Sequence, residues 1–394
     1  MYFGFDLSAL SVALFCVGIL SALYVIIFYL RAPRRVCRHA RVCGEKEDDS
    51  DPYVLPKVSV VVYAQDDSYG LEATLQSILS QQYEPGFEVI VVNEGSSDNT
   101  RQTVGLLQVS HPNLYLTFTP DGARNLSRKK LAVTIGVKAA HSDVVLITDA
   151  STVARSPRWL HSMMRHFADD QVGVVLGCSA PDAEADSGMW RRTRAFDYVS
   201  GSVTWLSAAI GAKAYRGCGS NVAYRRQLFF DNKGFSSALN LRHGDDDIFI
   251  NEITTPDNTA VEIGSDAITQ WVMRDSRRQM RDKRLALRFT GRRVPAGARK
   301  AAAFGQWMLW VMCAALVGGA MEAGCRNLFG WALAAVVAIA TFVTVSVTWR
   351  KAMVALRSRK MFLTLPFLVM TAPLRNILLG LRSRFGKFKR YTWD

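Results

Sequence analysis

The 394-residue chain predicts an α/β fold with a mainly parallel sheet, flanked by transmembrane α-helices. Strand-like and helix-like patterns alternate from residue 56 to 150, as in repeated β-α units. Three uncharged stretches bracket the middle of the chain: Leu7–Leu30, Ala301–Ala320 and Leu328–Trp349. Each is long enough for a bilayer core, which needs roughly 20 residues. Charge is also partitioned. Residues 58–270 hold 18 basic and 24 acidic side chains, whereas 271–303 hold 11 and 2, and 349–394 hold 11 and 1.

The net charge of +14 therefore sits beside apolar segments and not on the middle domain. That distribution points to a membrane surface as partner and excludes a nucleic-acid module, which carries positive charge on its folded face. A composition 49% apolar and 21% charged excludes a disordered chain.

The first apolar stretch is read as a span and not a signal peptide. The leading MYFGFD has no Lys or Arg, and no small-residue cleavage site follows. Arg31, Arg34, Arg35, Arg38 and Arg41 come next, which marks that end as cytoplasmic. The middle domain is then cytoplasmic, the loop 321–327 faces outward, and the third span returns before Arg350 and Lys351. Met361–Leu374 is 14 residues long, contains Pro366 and Pro373, and has basic flanks on both sides. It reads as interfacial or re-entrant. The expected organisation is a span at 1–30, a basic cytoplasmic linker at 31–55, the α/β domain at 56–270 and a basic interfacial segment at 271–300. Two spans at 301–349 and a basic interfacial or re-entrant segment at 350–394 complete it. The seven cysteines lack metal-site spacing and read as free thiols.

Within the domain, Val58–Tyr63, Phe87–Val92, Leu114–Thr119 and Val144–Thr148 read as strands. Leu71–Gln82 and Lys130–Ala140 read as helices. Ligands of such sheets bind beyond the carboxyl ends of the strands. Asp66, Asp67, Glu94 and Asp149 all follow predicted strands, so they should meet at one edge.

The ordered strings PKVSVVVYAQDD, FEVIVVNEGSSDNT, SRKKLAVTIGVKAAHSDVVLITDAS, GCGSNVAYRR and GDDDIFI resemble the family 2 glycosyltransferases of the GT-A fold. The flanking helices resemble the membrane-bound, synthase-like branch, and the whole looks most like members from Bacteroidetes. The resemblance implies a Rossmann-like nucleotide-sugar-binding domain in a bacterial inner membrane. It also implies an inverting enzyme of the hexosyltransferase type, a UDP-sugar donor, and a lipid-linked or polysaccharide acceptor.

Residue by residue, Glu94 resembles the acid that meets the nucleoside, with Asp66 and Asp67 beside it; the plain alternative is a turn acid. Arg124, Arg128, Lys129 and Lys130 form a basic cluster that can pair with a diphosphate. Cations are disfavoured at a helix start, which argues against mere solvated charge. Asp149 resembles the first acid of an Asp-x-Asp metal motif for Mg²⁺ or Mn²⁺, but Ser151 replaces the second acid. A neutral hydroxyl is the weaker ligand, and the diphosphate would supply more of the coordination. Asp245, Asp246 and Asp247 crowd three carboxylates together, which should raise at least one pKa. The resemblance implies that Asp246, or Asp245 next to it, is the general base; the alternative is an acidic helix start.

The branch's Gln-x-x-Arg-Trp motif is absent. Arg284 falls on its Arg, Arg281 on its Gln and Leu285 on its Trp, with Gln279 as another polar choice. A basic amphipathic helix lying on lipid accounts for the same residues. Gly217–Arg226 reads as an acceptor-side loop whose small residues allow close approach. Two other classes compete with a transferase: a catalytically silent nucleotide-sugar-binding assembly partner, and a membrane scaffold with no ligand site.

Overall fold

A computed structural model describes residues 7–45, 54–120, 127–181, 188–241, 243–271, 277–324 and 327–385. The chain begins with α1 (Ala9–Tyr24), which passes through a π turn at Val25–Tyr29 into α2 (Arg31–Glu45). The domain follows as β1 (Val58–Ala64), α3 (Ser68–Leu79), β2 (Phe87–Asn93), α4 (Thr100–Gln108), β3 (Leu114–Phe118), α5 (Arg128–Ala139) and β4 (Val144–Asp149). Next come β5 (Thr152–Ala154), α6 (Trp159–Met164), β6 (Val174–Leu176), β7 (Ser179–Pro181) and the long α7 (Met189–Ile210). Then follow β8 (Val222–Arg225), α8 (Arg226–Asp231), α9 (Ile248–Ile253), β9 (Thr259–Val261) and β10 (Thr269–Trp271). The chain closes with α10 (Arg277–Thr290), α11 (Gly297–Glu322), α12 (Leu328–Ala355) and α13 (Leu365–Phe385).

The main sheet has the order β3-β2-β1-β4-β8-β6-β9. Strands β3, β2, β1 and β4 run parallel, with Val58 opposite both Phe87 and Val144 and Tyr63 opposite Asp149. β8 is antiparallel to β4 and β6. A small second sheet orders β5-β10-β7.

Strand β1 is apolar because both its faces are covered. Val58, Val60 and Val62 face a core with Leu71, Leu75 and Ile78 of α3 and Leu160 and Met163 of α6. Val61, with Val92 and Ile147, faces Ala132, Val133 and Val137 of α5. Gly136 permits that contact: a Cβ there would lie 2.3 Å from Val61 Cγ1. This second core continues without a break through Phe196 and Val199 of α7 to Tyr29, Leu309 and Trp349.

Among the described residues, three helical stretches are long and apolar enough to cross a membrane: Ala9–Glu45, Gly297–Glu322 and Leu328–Ala355. Val336, Ile339 and Val343 of α12 are exposed, an apolar face that water would disfavour. The stretch 361–374, expected to be interfacial or re-entrant, is mostly the first half of helix α13, with Pro373 inside it. Helix α13 packs on α7, α10, α11 and α12.

Within the basic linker expected at 31–55, residues 31–45 are helical and dock on the domain. Arg35 donates to the Ser207 carbonyl at 2.8 Å, and His39 Nε2 lies 2.8 Å from the Val261 carbonyl. The contact ends on a buried carboxylate, Glu262, which accepts from Arg165 at 2.6 Å, His166 at 2.7 Å and the Gly264 amide at 2.7 Å. The same Arg165 guanidinium donates to the Cys43 carbonyl of α2 at 3.0 Å. Burial alone would raise the Glu262 pKa, but His166, Arg165 and the Gly264 amide bring it down to about 2.

The stability this represents is present above the ordinary value near 4.5 and is lost as pH falls towards 2. Its size at neutral pH is about 3 kcal/mol. Glu262→Gln should therefore lower the Tm at pH 7, while the difference from the parent chain shrinks towards pH 3. Thermal unfolding of the purified full chain across that range measures both.

Candidate active site

The register puts the ends of β1, β2 and β4 at one sheet edge. The Glu94 amide donates to the Ala64 carbonyl at 2.9 Å, and the Ala150 amide to the Tyr63 carbonyl at 2.8 Å. Past that edge opens a cavity of about 1880 Å³, walled by Tyr63, Glu94, Lys129, Asp149, Asp245 and Asp246 among others.

Lys129 stands at its centre. Its Nζ lies 3.2 Å from Asp149 Oδ1 and 3.2 Å from Asp245 Oδ2. It also sits over the Tyr63 ring, 5.6 Å from the centroid. Burial works against the ammonium, but Asp149, Asp245 and Asp246 outweigh it and hold its pKa well above the usual lysine value. Burial pushes the Asp149 carboxyl up, against the attraction of Lys129. Asp245 is also penalised by burial, yet Lys129, His243 and Lys130 hold it below the usual carboxylate range.

Asp246 faces Arg216, whose Nη2 is 3.3 Å from Oδ2. The Gly217 amide donates to the Asp246 carbonyl at 2.8 Å, which ties the small-residue loop to the acidic turn. That turn starts at Gly244, where φ is +117°, a backbone that side-chain-bearing residues rarely adopt. Asp247 points elsewhere: it accepts from the Ile248 amide at 2.8 Å and from the Thr290 hydroxyl of α10. Burial and the neighbouring Asp246 charge raise it to about 6.

Other expected residues divide by position. Glu94 is buried and accepts from the Tyr63 hydroxyl; Arg128 is 4.0 Å away. Burial raises its pKa, with Tyr63 and Arg128 opposing. Asp67 lines the cavity and also caps α3 through the Gly70 amide at 3.1 Å. The Asp66 carboxylate instead accepts from the Ser97 amide at 2.8 Å and the Ser97 hydroxyl at 3.1 Å, bracing the β1 and β2 loops. Lys130 is fully buried and spends its ammonium on the carbonyls of Ala238, Leu241 and His243, at 2.6, 3.1 and 2.8 Å. Helix periodicity is the reason: adjacent lysines leave a helix about 100° apart, so only one can face the cavity. Arg281 and Arg284 line the cavity's far end, and Leu285 is buried. Arg124 and the side chain of Gln279 lie outside the described residues.

The far end held surprises for sequence reasoning. Asp197 of α7 accepts from Arg284 at 2.6 Å and from Arg375 of α13 at 2.8 Å. Tyr63 and Arg216 were also missed. A lone acid among the arginines of RRTRAFD, and a tyrosine just before QDD, were the available signals.

The side chains round Asp149 bear on whether a divalent cation fits there. Asp149 Oδ1 is buried with the Lys129 ammonium 3.2 Å away, Thr152 Oγ1 is buried without a hydrogen bond, and Ser151 lines the cavity beside Asp149. No group of three His, Cys, Asp or Glu side chains arranged to hold a metal occurs among the described residues. The donor set fits a cation that takes one carboxylate and draws its remaining oxygens from phosphate and water, as Mg²⁺ commonly does.

The mostly parallel α/β sheet with acids gathered at its carboxyl edge has the GT-A architecture of its solved structural neighbour described below. The chain belongs to glycosyl transferase family 21, whose profile matches residues 14–378. It is 25% identical over 165 residues to the poly-beta-1,6-N-acetyl-D-glucosamine synthase of Staphylococcus aureus (strain COL), covering 41% of this chain and 38% of that enzyme. The chain thus spans less than two-fifths of that relative's length. Among solved structures, the mannosyltransferase PcManGT of Pyrobaculum calidifontis, in complex with GDP-Man and Mn²⁺, superposes with a TM-score of 0.57 at 21% identity. That match covers 93% of this chain and 99% of the other, and shows a shared fold.

Lys130→Met would leave three carbonyls without their charged donor, at a cost of about 3 kcal/mol. Thermal unfolding of the full chain should show this loss in Lys130→Met.

Proposed function

We propose that this glycosyltransferase moves a sugar, with inversion, from a nucleoside-diphosphate donor to an acceptor hydroxyl at the cytoplasmic face of a bacterial inner membrane. The carrying observation is the Asp149–Lys129–Asp245 cluster, with Asp246 beside it, at the sheet's carboxyl edge. The basic segments after Leu30, before α11 and after α12 support the cytoplasmic orientation. A UDP donor rests on the family 2 resemblance; PcManGT, which holds GDP-Man, supports the nucleotide-sugar class.

In this reading Glu94 and Asp67 receive the nucleoside, and Lys129, with Arg128, faces the diphosphate. Asp149 and Ser151 would hold the divalent ion. When bound, that ion offsets charge on the departing phosphate. Asp246 takes the acceptor proton as the hydroxyl oxygen attacks the anomeric carbon. The bond from that carbon to the phosphate oxygen breaks, and its electron pair leaves with the nucleoside diphosphate. A single base and one displacement suffice, hence inversion. Arg216 keeps Asp246 oriented between turns.

Nucleotide release from a panel of UDP- and GDP-sugars, by the detergent-solubilised full chain, tests this. Asp246→Asn should cut turnover by about 10²–10⁴ while leaving donor binding intact. Retained turnover in that variant removes Asp246 from the role. Absence of nucleotide binding in the parent chain removes the reading altogether. A separate binding titration with Mn²⁺ checks the ion: Asp149→Asn should abolish the Mn²⁺-dependent gain in nucleotide affinity, and Ser151→Asp should enlarge it.

A further inference from the structure

Helix α12 ends in a loop with three cations in four residues. Residues 357–360 read Arg-Ser-Arg-Lys, and no Asp or Glu occurs between Glu322 and Asp394. With Val354, these residues wall a hollow of about 460 Å³ that shares no lining residue with the transfer cavity. Arg357 and Lys360 are exposed, and neither belongs to an ion pair among the described residues. Clustered cations without counter-charge raise the local potential and call for an anion.

Two further observations place that anion in the loop. Ser358 is only 5% exposed, and its hydroxyl makes no hydrogen bond. A buried hydroxyl left unpaired costs free energy, which a ligand oxygen accepting from it would recover. Arg357 has φ +49°, the left-handed backbone that closes many helices and usually falls to glycine. It lets the Ser358 amide donate to the Met353 carbonyl at 2.8 Å, which ends α12. Glycine would serve that turn with less strain; what arginine adds is its charge.

The surroundings decide which anion. Helix α12 is long and apolar enough to cross a bilayer, and the loop follows its apolar run. Val354, Phe362 and Leu363, on either side of the basic residues, are exposed. Cations bordered by exposed apolar side chains suit the boundary between headgroups and acyl chains. A soluble phosphate would use none of that apolar surface. We propose that this loop binds the phosphate of an anionic phospholipid: Arg357 and Lys360 pair with it, Ser358 donates to it, and the acyl chains lie against Val354, Phe362 and Leu363. Guanidinium groups suit phosphate because they present paired donors in a plane. The site goes beyond the transfer reaction and rests only on α12 crossing the bilayer. It tethers α13, which starts at Leu365 and carries Arg375 to Asp197 in the cavity wall.

Native mass spectrometry of the detergent-solubilised full chain tests it, with dioctanoyl phosphatidylglycerol, dioctanoyl phosphatidylcholine and inorganic phosphate as probes. Phosphatidylglycerol should bind at least about tenfold more tightly than either of the others, since one lacks net charge and the other lacks chains. The combined Arg357→Gln and Lys360→Gln variant should lose about tenfold of that affinity. Ser358→Ala should lose about fivefold or more while keeping the parent Tm, because its hydroxyl has no partner to lose in the free chain. The combined Arg31→Gln and Arg41→Gln variant removes the same charge from α2 and should bind as the parent does. Equal losses in the two double variants overturn the proposal, because binding then follows net charge and not a built site. Inorganic phosphate or phosphatidylcholine binding as tightly as phosphatidylglycerol also overturns it. So does unchanged affinity in Ser358→Ala, or a lowered Tm there, which would assign that serine to packing.

Discussion

A half-buried lysine held between two carboxylates organises this molecule. Lys129 touches Asp149 at the end of β4 and Asp245 in the turn before α9, residues nearly a hundred positions apart. None of the three is cheap to bury alone, and losing any one would strand the others. The cluster therefore joins the parallel half of the sheet to the acidic turn. The Gly244 bend, the Gly217–Asp246 backbone bond and the three carbonyls gripped by Lys130 hold the same turn from other sides. The cluster's excess negative charge also leaves room for another cation beside it, which is what a bound diphosphate and its ion would exploit.

The helices are part of the same body as the domain. One apolar core runs from Val61 and Ile147 in the sheet through Phe196 in α7 to Trp349 in α12, where the two rings lie 5.5 Å apart. Helix α2 adds a polar anchor through Arg165 and Glu262. Both attachments fix the domain's cavity against α11 and α13, so a chemical site and an apolar surface share one space. Electrostatics then divides that space. Acids dominate at the sheet's carboxyl edge; arginines dominate where the apolar helices leave the domain.

Much of this was legible in the chain. The strands and helices of residues 56–150 were readable because buried β-branched runs and helical apolar spacing follow directly from covering both faces of a sheet. Glu94, Asp149 and the Asp245–Asp247 group were readable because each follows a strand or a sharp turn. The two lysines were not separable by composition. Their division into a cavity residue and a carbonyl-bound one depends on a rotation of roughly 100° about α5 and on a loop more than a hundred residues away. Asp66 was misleading for a related reason: it follows a strand, yet its nearest unmet donors are the amide and hydroxyl of Ser97.

By itself, then, the sequence determined what local rules govern: which segments of residues 56–150 are strands and helices, the apolar helices, and the acids at strand ends. Periodicity, turn chemistry and charge flanking are short-range properties, and they survive in one dimension. Tertiary structure alone decided which charges meet. Asp197 could not be matched to Arg284 and Arg375 without α7, α10 and α13 packed together. The helical docking of residues 31–45 on the domain likewise depended on Val261 and Glu262 lying at the end of β9. Coulomb pairing falls off with distance in space and is indifferent to separation along the chain, so only the folded molecule could assign it.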